Sequence, residues 1–294
     1  MTATAPRLAL TIQSHVAWGH VGNSAAVLPL QLLGIEAIPI HTVQFSNHTG
    51  YGEFKGQVFP ASHIRDVLEG LQARGVLALC DAVLSGYLGD PGTGEAILEA
   101  VASIRQGRPQ VRYLCDPVMG DTGRGLFVRP GIPEFLRQRA LPNTDILTPN
   151  QFEFELLIGH AVDSLEAAVD GARSLLRRPP DRLGPELIVI TSLRTADLPP
   201  DSIHTMAVTA DQAWTVRTPH IELSPMPNGM GDVFSSVLLG RLLNGSPVPD
   251  ALAHAVSCLY GLISELPEGG RDLPLVSAQH QIAHPTTVFH AISI

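Results

Sequence analysis

The sequence predicts an α/β fold with a mostly parallel central sheet. Three observations point there: short apolar runs alternate with amphipathic helical stretches, glycines and small polar residues punctuate the run ends, and one antiparallel pair comes late in the chain. Residues 7–13 (RLALTIQ) make the first strand, and the small polar segment 19–24 leads into a helical pattern, NSAAVLPLQLLG, closed by Gly34. Residues 35–42 read as the second strand. Residues 43–60 are polar, aromatic and broken by glycine, which suits a flap or hairpin inserted over a site. Helical patterns at 62–74 and 94–105 alternate with apolar runs at 76–85 and 111–115, as in βαβ units. In the second half, 145–148 is a strand, 150–158 and 165–176 are helices, and 187–191 (LIVIT) is strongly β-forming. Residues 204–210 and 213–218 alternate apolar and polar side chains around Asp211-Gln212, an antiparallel hairpin at the sheet edge that makes the sheet mixed. Helices at 231–243 and 250–264 complete the pattern. With no repeat, low-complexity tract or linker, residues 1–294 are expected to form a single domain.

Composition narrows the function classes. Hydrophobic residues make up 45% of the 294 and charged residues 16%, the balance of a globular protein with a buried core. A net charge of -9 excludes an electrostatic grip on nucleic acid or anionic lipid. Cys80, Cys115 and Cys258 are scattered, with no CxxC pair, so neither a disulfide framework nor a structural zinc site is expected. Twelve histidines include His15 and His20, but no HExxH is present. The N-terminal apolar stretch is only about six residues long and reads as a strand. No run approaches the roughly 20 residues that span a bilayer, so a soluble, cytoplasmic chain is expected.

Three segments carry chemistry. Asn228-Gly229-Met230-Gly231-Asp232 enters the apolar helix VFSSVLLGRLL. Glycines before a helix start let backbone approach phosphate, and the free N–H groups there favour negative charge. Asp232 has two readings, an ordinary helix cap or the base of a phosphoryl transfer. The second segment is Cys115-Asp116-Pro117-Val118-Met119-Gly120-Asp121, which follows the strand VRYLC and puts a carboxylate at a strand end. Asn150 and Glu153 follow the strand ILT at i and i+3, facing one way on a helix. Singly, Asp116 before proline reads as a turn residue and Glu153 as a solvated helix face; together the three suit a mostly water-mediated Mg²⁺ site. The third is Gln13-Ser14-His15-Val16, where Ser14 offers a hydroxyl to a ring nitrogen or serves a turn. GxGxxG, GxSxG and P-loop spacings are absent.

In combination these segments resemble the pyridoxal kinase family of the ribokinase-like superfamily. The resemblance covers nearly the whole chain, through IQSHVAWGHVGNSAA (12–26), VQFSNHTGYGEFKGQ (43–57), CDAVLSGYLGD (80–90), CDPVMGD (115–121), TPNQFEFELL (148–157), VITS (189–192) and NGMGDVF (228–234). It implies a three-layer α/β/α sandwich with a small flap at about 43–60. It implies ATP-dependent phosphorylation of the 5'-hydroxymethyl group of pyridoxal, and of pyridoxine and pyridoxamine as further acceptors. Asp232 would be the base, and the N–H groups of Gly229, Met230 and Gly231 an anion hole. Ser14 would hold the pyridine nitrogen, with Val21, Val43, Phe45, His48, Thr49 and Tyr87 forming the pocket. Asp116, Asp121, Thr148, Asn150 and Glu153 would face ATP and its Mg²⁺, Thr191 and Ser192 the phosphates, and Thr218, Pro219, His220 and Ile221 the adenine. K⁺ as a second cofactor and a homodimer follow from the same resemblance.

The chain departs from the family pattern at three positions. Met230 stands where many relatives carry Thr, Ser192 where some carry Lys, and Phe54 where some carry Trp. Residues 120–130 (GDTGRGLFVRP) form a Gly-rich flap in which Arg124 would partly replace the missing lysine. Two other readings stand beside pyridoxal phosphorylation: a kinase for hydroxymethylpyrimidine or another small alcohol, and a non-catalytic pyridoxal-binding protein.

Overall fold

A computed structural model describes residues 6–176 and 184–294. Among the described residues, ten strands form one sheet. Its parallel part consists of β1 (Arg7–Trp18), β2 (Ile35–Asn47), β4 (Ala82–Ser85), β5 (Arg112–Cys115), β8 (Ile146–Leu147) and β9 (Leu187–Leu193), and its antiparallel part of β3 (Gly56–Val58), β10 (Ser202–Val208), β11 (Ala213–Pro219) and β12 (Ile292–Ser293). The order across the sheet is β12-β11-β10-β9-β8-β5-β4-β1-β2-β3. A separate two-stranded ribbon pairs β6 (Gly120–Asp121) with β7 (Gly125–Leu126).

The alternation along each strand explains the layers. In β4, β5, β8 and β9, Val83, Tyr113, Leu147 and Ile188 point to one face, and Leu84, Leu114, Ile146 and Leu187 to the other. Side chains of successive strand residues must point to opposite faces, so runs apolar at every position require cover on both sides. The first face is covered by α2 (Ala61–Ala73), α3 (Pro91–Gly107), α4 (Ile132–Phe135), α5 (Gln151–Ile158) and α6 (Leu165–Leu175). The second is covered by α1 (Asn23–Leu32), α7 (Met230–Leu243), α8 (Val248–Ser264) and the short α9 (His280–Ala283). This is the three-layer arrangement expected. Helix α7 is buried nearly all round, from Val233 to Gly240, because it lies between the sheet and the helices α1 and α8.

The strands differ from expectation mainly in length. β1 runs on to Trp18 and β2 to Asn47, so polar residues that read as a turn are paired strand. The pairing slips between Gln13 and His15, where Ser14 of β1 stands against both Thr42 and Val43, so the extra residue of the bulge belongs to β2. A bulge re-aims the extra side chain. Residues 77–79 of the run 76–85 form a 3-10 turn, and only 82–85 are strand. Residues 43–58 form a local hairpin: β3 pairs antiparallel with Val43, Gln44 and Phe45, and residues 49–51 make a 3-10 turn at its tip. Among the described residues no helix is long and apolar enough to cross a membrane.

Candidate active site

Strand order reverses between the parallel strands β1 and β4: the chain builds outward through β2 on one side and then through β5, β8 and β9 on the other. Crevices at such a switch point, beyond the carboxyl ends of the strands, are where open α/β sheets bind ligands. The residues singled out gather along that rim. Ser14 lies toward the end of β1, Tyr87 just past β4, Asp116 just past β5, Thr148 and Asn150 past β8, and Thr191 and Ser192 at the end of β9.

Asp232 sits in the first turn of α7, with Gly229 as its N-cap at φ 81°. Burial raises the Asp232 carboxyl above its ordinary range, and the Gly22 N–H pulls it part of the way back. Two glycines make room around this helix start. A β-carbon on Gly229 would collide with the His20 carbonyl oxygen, and one on Gly86 would collide with Gln13 Oε1 and lie 3.6 Å from Asp232 Oδ1. Gly22 likewise leaves space that the Ser14 carbonyl and hydroxyl occupy. Asp232 is therefore no side-chain cap, since no side-chain cap bond closes α7.

Asp116 is 5% exposed and its carboxyl is raised well above the usual range, by burial first and then by the charges of Glu153 and Asp232; the Ser235 hydroxyl opposes this. Ser235 also meets Thr148, Oγ to Oγ1 at 3.0 Å. Glu153 is 4% exposed, and burial pushes it up to about 8. Its oxygens are already engaged: Oε1 accepts the Met119 N–H at 2.9 Å and the Gly120 N–H at 3.4 Å, and Oε2 accepts the Asn150 N–H at 2.9 Å. In return Asn150 Oδ1 accepts the Glu153 N–H at 2.9 Å, and Asn150 Nδ2 donates to the Gly120 carbonyl at 2.8 Å. The i, i+3 spacing is thus a reciprocal capping box that also clamps the root of the β6–β7 ribbon. Among the described residues no three His, Cys, Asp or Glu side chains form a cluster able to hold a metal. Buried negative charge around Asp116 nevertheless suits a hydrated divalent cation shared with phosphates, with Asp116 as the protein's carboxylate.

On the acceptor side, His48 caps the flap turn, its Nδ1 accepting the Gly50 N–H at 3.1 Å. Burial lowers its pKa, as does the charge of Arg124 from the ribbon, while Asp272 acts the other way. The two flaps therefore face each other. Phe45 packs on Phe54 with ring centres 4.9 Å apart, Thr49 is exposed, and Tyr87 is half-buried. Val21 and Val43 are buried, Val43 beside Gly89 at the flap base. Asp121 accepts the Thr122 N–H at 2.7 Å within the ribbon. Thr191 bridges to Asn150, and Ser192 holds φ 56°, in the left-handed region that non-glycine residues seldom adopt. Thr218 is buried and Pro219 exposed; Pro219 pairs with Ser202, and the His220 N–H donates to the Asp201 carbonyl at 2.8 Å. With Ile221 they lie at the same rim, two strands beyond β9. Sequence reasoning gave Gln13, His20 and Gly86 no role of their own although they lie in stretches quoted above, and it did not single out Asp272, which no local motif marks.

Residues 58–275 match the family model described as phosphomethylpyrimidine kinase. The chain is 47% identical over 292 residues to Pyridoxal kinase PdxY of Deinococcus radiodurans, covering 99% of this chain and 98% of the relative. It is 49% identical over 282 residues to Pyridoxal kinase PdxY of Rubrobacter xylanophilus, with 95% of each covered. The solved pyridoxal kinase of Leishmania donovani in complex with ADP and pyridoxamine superimposes with a TM-score of 0.87 at 30% identity, over 98% of this chain and 99% of that one.

Proposed function

The chain belongs to the pyridoxal kinase family, and from that premise we propose that it phosphorylates the 5'-hydroxymethyl group of pyridoxal with ATP, using Asp232 as the base. The observation that carries the role of Asp232 is its place in the first turn of α7, directly after the Gly229–Met230–Gly231 backbone and across from Asp116. In this reading Asp232 takes the hydroxyl proton as the oxygen bonds to the γ-phosphorus. The bond from that phosphorus to the bridging oxygen breaks, and ADP leaves with the electron pair. The N–H groups of Gly229, Met230 and Gly231 stabilise charge on the phosphoryl oxygens, and the dipole of α7 adds to them. A side chain raised by burial is a stronger base once ionised, which suits proton abstraction near neutral pH.

Ser14, opposite the extra residue of β2 at the bulge, holds the ring nitrogen. Val21, Val43, Phe45, His48, Thr49 and Tyr87 form the walls. Asp116 would hold Mg²⁺, largely through water, and the ion would neutralise phosphate charge; Asn150 and Glu153 support it by fixing the ribbon root. Asp121, Thr148, Thr191 and Ser192 serve the phosphates, and Thr218, Pro219, His220 and Ile221 the adenine. Residues 1–294 act as one kinase domain in a cytoplasmic homodimer, with K⁺ as a candidate activator.

An ATP-consumption panel over pyridoxal, pyridoxine, pyridoxamine and hydroxymethylpyrimidine, with Mg²⁺ and with or without K⁺, tests the reading. Pyridoxal is expected to lead, and a preference for hydroxymethylpyrimidine would overturn the substrate. Asp232→Asn should still bind pyridoxal while losing phosphoryl transfer by roughly 10²-fold or more. Retained turnover would remove Asp232 from the role of base.

A further inference from the structure

Residues 271–273 lie outside every segment assigned to substrate or nucleotide, yet they touch three parts of the site. The His20 N–H donates to Asp272 Oδ1 at 3.1 Å, and His20 Nδ1 meets the Leu273 carbonyl at 2.8 Å. Gly19 leaves the space this needs, since a β-carbon there would lie 2.6 Å from Asp272 Oδ1. The Asn228 N–H donates to the Arg271 carbonyl at 2.9 Å, and Asn228 forms a parallel bridge with Asp272. The first link fixes the loop leading to Val21, and the second fixes the loop leading to Gly229.

The third link is unfinished. Arg271 stands 5.6 Å from the centre of the Tyr51 ring, and Tyr51 belongs to the flap turn that carries His48 and Thr49. The Tyr51 hydroxyl is buried beside the Asp272 carboxylate and the Asn228 side chain, without a hydrogen bond of ordinary geometry to either. It is pushed up to about 12, by burial and then by the Asp272 carboxylate facing it, so it remains a donor at neutral pH. A buried hydroxyl left unpaired is costly, and a small flap movement toward the carboxylate removes that penalty.

We infer that Asp272 is a positioning residue for the acceptor substrate: its carboxylate holds the Gly19–His20 loop and receives the Tyr51 hydroxyl when the flap closes over the ring. The same short segment is tied to Asn228, so the closed flap and the anion hole share one support. The inference rests on the pyridoxal kinase reading only for the identity of the acceptor. It separates Asp272 from the nucleotide side, because no contact of residues 271–273 described above reaches Asp116, Thr148 or Thr191.

The test uses the full chain, with equilibrium binding of pyridoxal in the absence of ATP and steady-state kinetics for both substrates. Tyr51→Phe and Asp272→Ala should each raise the pyridoxal Kd and KM about tenfold, the equivalent of one hydrogen bond, with the ATP KM unchanged within about twofold. Asp272→Asn keeps an oxygen for both donors and should recover most of the loss. Should Asp272→Ala fail to fold, Tyr51→Phe decides alone, since it deletes only a hydroxyl. An unchanged pyridoxal Kd in Tyr51→Phe, or equal rises in both KM values, overturns the inference. A wild-type chain that neither binds nor phosphorylates pyridoxal removes the function reading, and this inference with it.

Discussion

Gly231 and Asp116 face each other across the site: a β-carbon on Gly231 would lie 3.2 Å from Asp116 Oδ2. Gly231 has no positive φ, so space alone demands glycine there, whereas Gly229 has both φ 81° and the His20 carbonyl against it. Gly231→Ala should therefore fold normally and lose roughly tenfold in kcat through displacement of the Asp116 carboxylate. Gly229→Ala should lose more than about 100-fold and melt earlier, since strain of about 1–2 kcal/mol adds to the clash. Melting curves beside kinetics check the contrast, and equal behaviour of the two variants would refute it.

Glu153 offers a second contrast, between clamp and metal ligand. Glu153→Gln puts an amide N–H₂ where backbone N–H groups now donate, leaving buried donors unpaired at a cost of about 1–3 kcal/mol. The expected result is a melting temperature lower by several degrees, a modest rise in ATP KM, and an unchanged Mg²⁺ midpoint. A shifted Mg²⁺ requirement with an unchanged melting temperature would restore Glu153 to the metal.

Arg124 is exposed on the β6–β7 ribbon, and its charge lowers the pKa of His48. Arg124→Ala should raise the ATP KM about 10-fold or more, the worth of a charge-assisted hydrogen bond. It should also move the His48 titration upward in an NMR pH series. An unmoved ATP KM would exclude Arg124 as a substitute for the lysine missing at position 192.

Acid stability should depend on the His15–His41 pair, whose rings stack at 4.1 Å. His41 is pushed down to about 4, by burial and then by the charge of His15, from an ordinary value of 6.5. Between those two values the unfolded chain binds a proton that the folded chain refuses, so stability falls as pH drops through this window. Melts at pH 7 and pH 4.5 should show His41→Gln losing less than the wild type. Equal losses would assign acid sensitivity to other groups.

How much of this was legible in the sequence varied with the range of the interactions. Asp116 and Asp232 could be singled out because each carries a local sign, a carboxylate after a β run or after glycines that open a helix. The Asn150 and Glu153 spacing was also visible, but it serves four backbone donors and one backbone carbonyl, a pattern that capping chemistry makes legible. The contact between His20 and Asp272 could not be found, since 252 residues separate them. The extensions of β1 and β2 were hidden because their polar residues pair in parallel beyond the bulge at Ser14. Helix α4 was missed where Pro130 and Pro133 break the helical period.

The sealed environment of α7 bears on how such a chain can diversify. Any change behind Asp232 must be absorbed by α1, α8 and the sheet together, because Val233, Phe234, Val237 and Leu238 have no free side. The β2–β3 hairpin and the β6–β7 ribbon carry mostly exposed side chains and answer to few neighbours. Evolution toward a new acceptor or donor is therefore channelled into these two hairpins, while the helix that bears Asp232 is inherited as a block.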